Sequence, residues 1–139
     1  MAAYFAALMA ASPGAHATAA PSDHPGSAAR GHPAGAALFA GACAGCHDAG
    51  APMTLEGRPA LQLGTPLHEA NARDTIAIVL RGLEPPVGRS GPYMPAFADD
   101  FSDAQLAALA GYLHARYGPD APWPRDLTGE VARARREAG

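Results

Sequence analysis

Apolar side chains recur at helical spacing in separate stretches of this chain and almost nowhere alternate as strands require. Residues 1–11 (MAAYFAALMAA) read as a short helix. Residues 12–32 are rich in Pro, Gly, Ser, Ala and His, with no hydrophobic period, and read as a linker. Pro33 suits a first helical position, and a helix through Leu38 and Phe39 to His47 is predicted. Residues 48–70 form a long Gly- and Pro-punctuated loop, which inside a compact domain calls for a reason such as wrapping a cofactor. A second helix is predicted from Asn71, a good cap, with Ile76, Val79, Leu80 and Leu83 as its stripe. Gly82 and Pro85–Pro86 end it. After a second loop, Ser102 and Gln105 form a capping box for a helix carrying Leu106, Leu109 and Leu113, stopped by Gly118–Pro119. The expected fold is all-α, with three main helices and two long loops over residues 33–118, preceded by residues 1–32 and followed by a tail at 119–139.

Composition sharpens this picture. Of the 139 residues 48% are hydrophobic but only 6% aromatic, because alanine supplies much of the apolar count. Alanine buries little surface, so the chain is short of large side chains for a core. A flat apolar cofactor would make up the deficit. The net charge of −3 argues against nucleic acid as a partner. All 10 basic residues are arginine, and they cluster only at Arg133, Arg135 and Arg136. No apolar run approaches the roughly twenty residues needed to span a bilayer.

The 2 cysteines lie in one window, Cys43-Ala44-Gly45-Cys46-His47, so no disulfide framework links distant parts of the chain. The pattern C-x-x-C-H reads as c-type haem attachment. Cysteines at i and i+3 share a helix face, so both thiols can reach the two vinyl groups of one porphyrin. The histidine one position further meets the iron from the same side. A thioredoxin-like redox pair would need a βαβ setting, which is not visible here. A zinc site would need more ligands, and adjacent Cys46 and His47 are poorly placed to share one metal.

Met94, in Gly91-Pro92-Tyr93-Met94-Pro95-Ala96-Phe97, is the candidate for the opposite axial position. Pro95 biases Met94 towards extended backbone and Pro92 stiffens the approach. Without the haem motif Met94 would read as an adaptable core residue; with it, Met/His ligation is the expectation. Met53 is close to His47 in sequence and would struggle to reach the other haem face. His68 sits in ordinary loop, His114 is expected to face solvent, and His16, His24 and His32 need no special role. The carbonyl of Pro59 is a candidate acceptor for the other ring N–H of His47; a tight turn explains Pro59 equally well.

C-x-x-C-H near the end of the first helix, Met94-Pro95, then a capped Leu-rich helix ending in Tyr112-Leu113, resembles a class I cytochrome c domain. Gly35, Phe39 and Tyr112 match the glycine and aromatics through which first and last helices pack in that family. Ala37-Leu38-Phe39-Ala40, Met94-Pro95-Ala96-Phe97 and Leu106–Leu113 are similar to cytochrome subunits of periplasmic alcohol, aldehyde, gluconate and nicotinate-type dehydrogenases. Trp123 and Leu127 ahead of an Arg-rich end fit the last haem domain of that group. Such subunits carry three C-x-x-C-H motifs and this chain one. The resemblance implies one covalent haem c, electron relay from a dehydrogenase to a respiratory acceptor, no catalysis by this chain, a periplasmic location, and membrane association only through partners. The alternative is a haem-based sensor or gas-binding module, which requires a displaceable sixth ligand; a peroxidase usually implies a second haem.

For residues 1–11, two readings compete. Ala15-His16-Ala17 and Ala17-Thr18-Ala19 resemble signal-peptide cleavage sites, but no Lys or Arg precedes Arg30. Ala2–Leu8 repeats the character of Leu109–Ala115, so the favoured expectation is the end of a preceding haem domain, with residues 12–32 as the linker from it.

Overall fold

The computed structural model describes residues 23–51, 60–85, 87–89, 93–123 and 126–138. Helices dominate: α1 (Pro25–Gly31), α2 (Pro33–Ala42), α3 (Ala44–His47), α4 (Arg73–Arg81), α5 (Asp103–Tyr117) and α6 (Leu127–Ala138). Two 3-10 turns, Leu61–Leu63 and Thr65–Leu67, lie in the first loop. Among the described residues the only strand-like pairing is one antiparallel bridge, Leu83 with Met94. The fold is all-α, as expected. No helix among the described residues is long and apolar enough to cross a membrane.

α5 is the spine of the molecule. The capping box forms at its start: Ser102 N–H donates to Gln105 Oε1 at 2.9 Å, and Gln105 N–H to Ser102 Oγ at 3.3 Å. Leu106, Leu109 and Leu113 are all buried, as their spacing predicts. α2 crosses α5 at Gly35, where an added Cβ would lie 2.6 Å from Tyr112 Cβ and closer still to the Ala108 carbonyl oxygen. Only hydrogen fits there. The close approach brings the buried Phe39 ring to 5.5 Å from that of Tyr112 and 6.4 Å from that of Tyr117.

Several local expectations change. Residues 25–31 fall in the stretch read as linker but are helical, with Pro25 in the first turn and Ala28 buried in the core cluster. A helix whose buried face is alanine leaves no large-residue period to detect. α2 stops at Ala42, and Cys43, at φ −117°, separates it from α3 instead of one helix running to His47. α4 starts later than expected, with Ala72 at the cap, although Asn71 Oδ1 still accepts from Arg73 N–H at 3.1 Å. Ile76, Val79 and Leu80 are buried; Leu83 is 46% exposed, because Gly82 turns the chain out of the helix at φ +69°. The stretch read as a tail contributes the fully buried Val131 on α6 and the buried Trp123, whose Nε1–H donates to the Glu69 carbonyl at 2.8 Å. The expected helix at 1–11 lies outside the described residues.

Candidate haem site

Cys43, Cys46 and His47 occupy one helical turn. The Cys43 carbonyl starts it, accepting from Cys46 N–H at 3.1 Å and His47 N–H at 2.9 Å. Asp48 N–H closes it on the Ala44 carbonyl at 3.0 Å. Both cysteines are free thiols, Cys43 partly buried and Cys46 exposed. Burial, with Cys46 nearby as a smaller cause, pushes the Cys43 thiol up to about 11. A redox-active nucleophile needs the opposite shift. Burial also lowers the pKa of His47, favouring the neutral imidazole that binds metals. Among the described residues no three or more His, Cys, Asp or Glu cluster in a way that could hold a metal ion.

Met94 approaches from the second loop. It exchanges backbone hydrogen bonds of 2.9 Å in both directions with Leu83, and its side chain packs, half-buried, on the apolar cluster that Cys43 and Ala44 also touch. Gly82 seats this loop. A Cβ there would meet the Met94 carbonyl oxygen, and would lie 2.8 Å from both Ala96 N and the Pro95 carbonyl carbon. The sequence marks Gly82 as a helix stop; its second task depends on a segment that is remote along the chain. Beyond Met94, Phe97 N–H donates to the Val79 carbonyl at 3.0 Å, and the Phe97 and Phe101 rings stack at 5.5 Å. Arg135 of α6 clamps the same stretch, donating to Asp103 Oδ1 and the Phe101 carbonyl at 2.9 Å each and to the Ala98 carbonyl. No local pattern announces that clamp.

The other described histidines stand apart. His68 Nε2 lies 2.8 Å from the Gln62 carbonyl. His114 is buried, correcting the expectation of a solvent-facing ring: its nitrogens lie 3.2 Å and 2.9 Å from the carbonyls of Leu67 and Ala121, and it stacks on Trp123 at 4.0 Å. The loop at Leu67 and the stretch from Ala121 to Trp123 cover position 114, so a ring on α5 there does not reach solvent. His24 and His32 line, with His114, a cavity of about 280 Å³ that touches none of the four candidate haem residues. His16, Met53 and Pro59 lie outside the described residues.

These donors suit haem: two thiols for the vinyl groups, one imidazole and one soft thioether. Large apolar side chains left exposed on the loop leading to Met94, Leu83, Val87 and Tyr93, are the kind of surface a porphyrin covers. All-α packing around a C-x-x-C-H turn and a Met-Pro loop defines a cytochrome c domain.

Comparison with known proteins places it further. The family model described as cytochrome c oxidase, cbb3-type, subunit III, matches residues 31–113, and the chain belongs to this family. A nicotinate dehydrogenase subunit of Pseudomonas putida is 36% identical over 103 residues, 73% of this chain and 9% of that protein. The fructose dehydrogenase cytochrome subunit of Gluconobacter japonicus is 32% identical over 89 residues, 60% of this chain and 18% of that one. The chain thus spans less than a fifth of either relative's length. Its cofactor is haem and its role is electron transfer, as an electron carrier rather than a catalyst. Nothing in these relatives supports the sensor alternative.

Proposed function

We propose that this chain holds one haem, bound covalently through Cys43 and Cys46, with His47 and Met94 as axial ligands, and relays single electrons from a dehydrogenase to a respiratory acceptor in the periplasm. The observation that carries the reading is that Cys43 and Ala44, at the start of the C-x-x-C-H turn, pack on the same apolar cluster as Met94. When bound, the haem iron supplies a one-electron couple, which a Met/His ligand pair raises in potential.

The chain's residues do the rest. Cys43 and Cys46 would tether the ring, His47 would present a neutral nitrogen, and the close fit of Gly82 against the 94–96 backbone would hold the Met94 loop in place. With His47 and Met94 both as ligands, a bound haem iron would have no vacancy for substrate. The names of the two relatives support a dehydrogenase as electron donor. Gly45, Pro95 and Ala96 are exposed and uncharged, which suits a small apolar contact patch of the kind redox encounters use, under about 1,200 Å² in total. Covalent maturation of c-type haem in bacteria supports the periplasm.

Met94→Ala is the test. It should abolish the weak far-red sulfur-to-iron band of the oxidised protein and open the reduced iron to carbon monoxide. An unchanged spectrum would remove Met94 from the ligand set. Met53 would then be the next substitution to make.

A further inference from the structure

Three segments remote in sequence meet at Arg116, near the end of α5. Its side chain is only 5% exposed. Nε donates to Asp23 Oδ1 at 2.7 Å, and Nη2 to Asp23 Oδ2 at 3.2 Å and Asp48 Oδ1 at 2.7 Å. Nη1 reaches the Tyr112 hydroxyl at 3.3 Å. The guanidinium carbon lies 5.0 Å from the Phe39 ring centroid and 4.7 Å from that of Tyr117. The Arg116 carbonyl accepts from His24 N–H at 3.0 Å, just ahead of α1.

A buried guanidinium must be paired, and the two-point contact with Asp23 already does that. Docking α1 on α5 therefore accounts for Asp23 but not for the arm to Asp48. Asp48 directly follows His47. Its N–H closes α3, and its backbone leaves in extended conformation at φ −80°, ψ 164°. With four residues, α3 is too short to hold its own end rigidly. The Asp48 carboxylate fastens that end to α5. Asp23 and Arg116 both lie outside the residues 31–113 matched by the family model.

We infer that Arg116 is a positioning residue for the His47 imidazole, acting through Asp48 to fix the end of the C-x-x-C-H turn against α5. The inference rests on His47 being the iron ligand. Groups beyond a metal's own ligands commonly orient those ligands, and a carboxylate one residue away gives Arg116 that leverage. The ligand plane of His47 governs how unpaired spin spreads over a ferric haem, so the strap has a spectroscopic signature that stability alone does not produce.

The test compares hyperfine-shifted haem-methyl proton resonances of the haem-loaded full chain and four variants. Asp48→Asn and Arg116→Gln each remove the ion pair at this contact while changing charge in opposite directions. Asp23→Asn makes the same charge change as Asp48→Asn but leaves that contact in place. The expected result is a common displacement of the methyl pattern in Asp48→Asn and Arg116→Gln. Asp23→Asn should keep the native pattern, with a lowered Tm. Arg116→Lys should not restore it, because an ammonium lacks the fork that spans both carboxylates. The Asp48 side chain is 47% exposed, so Asp48→Asn remains informative even where Arg116→Gln fails to fold. A native pattern in Asp48→Asn, or the same displacement in Asp23→Asn and Asp48→Asn, would overturn the inference. An unmodified protein whose ferric spectrum shows no histidine ligation would instead remove the ligand reading, and the positioning role with it.

Discussion

Gly35→Ala pits two opposing effects against each other, and the structure decides which wins. In a helix interior the change from glycine to alanine ordinarily stabilises by about 0.5–1 kcal/mol through backbone entropy. At Gly35 the new methyl would stand 2.6 Å from Tyr112 Cβ, and nearer to the Ala108 carbonyl oxygen. Ordinary carbon contacts lie at about 3.5–4.0 Å. Neither obstacle is the free end of a flexible side chain, so α2 must back away from α5 by about 1 Å. A gap of that size forfeits roughly a quarter to a half of the attraction between the atoms it separates. Phe39 and its aromatic neighbours sit in that interface. Overpacking of this kind costs about 1–3 kcal/mol, which exceeds the entropic gain.

Gly41, on the same helix, is the internal control, because an added Cβ there meets nothing within 4 Å. Gly41→Ala should stabilise by up to about 1 kcal/mol and Gly35→Ala should destabilise, leaving a difference of about 2 kcal/mol between the two. Against a total stability of about 5–15 kcal/mol this is easily measured by urea denaturation of the haem-loaded protein, followed by far-ultraviolet circular dichroism. The reasoning fails if Gly35→Ala is as stable as the parent, or if both substitutions move stability in the same direction.

Gly82→Ala should weaken Met94 ligation without preventing haem attachment, because it strains a backbone at φ +69° and crowds Pro95 and Ala96. A full-strength far-red band in that variant would count against the seat. Burial raises the pKa of Tyr117 above its ordinary value of 10. A group whose folded pKa exceeds its unfolded one contributes stability that is complete below the unfolded value and lost as pH rises towards the folded one. Stability should therefore fall as pH climbs above about 10, and Tyr117→Phe should flatten that decline. Equal alkaline sensitivity in both proteins would contradict it.

What was legible in the sequence divides along physical lines. α4 and α5 announce themselves because Ile76, Val79, Leu80, Leu106, Leu109 and Leu113 recur at helical spacing and are large enough to see. α1 buries only Ala28, so its composition reads as linker. Val131, buried on α6, is too isolated a signal to lift residues 119–139 above a tail. The candidate haem residues are readable because Cys43, Cys46 and His47 lie within one turn and Met94 stands beside a proline. Their supports are unreadable for the converse reason. Arg116 reaches a carboxylate 93 residues away and another 68 away, and Arg135 holds a carboxylate 32 residues back. Such pairings exist only once the helices have packed.

Covalent attachment is the most direct test of the account. The protein should be matured in cells with a c-type haem assembly pathway, purified, and extracted with acid–acetone beside a Cys43→Ala/Cys46→Ala variant. The account predicts that the colour stays with the native polypeptide, that a pyridine haemochrome gives one haem per chain, and that any haem in the double variant extracts. Complete extraction of colour from the matured native protein would contradict it.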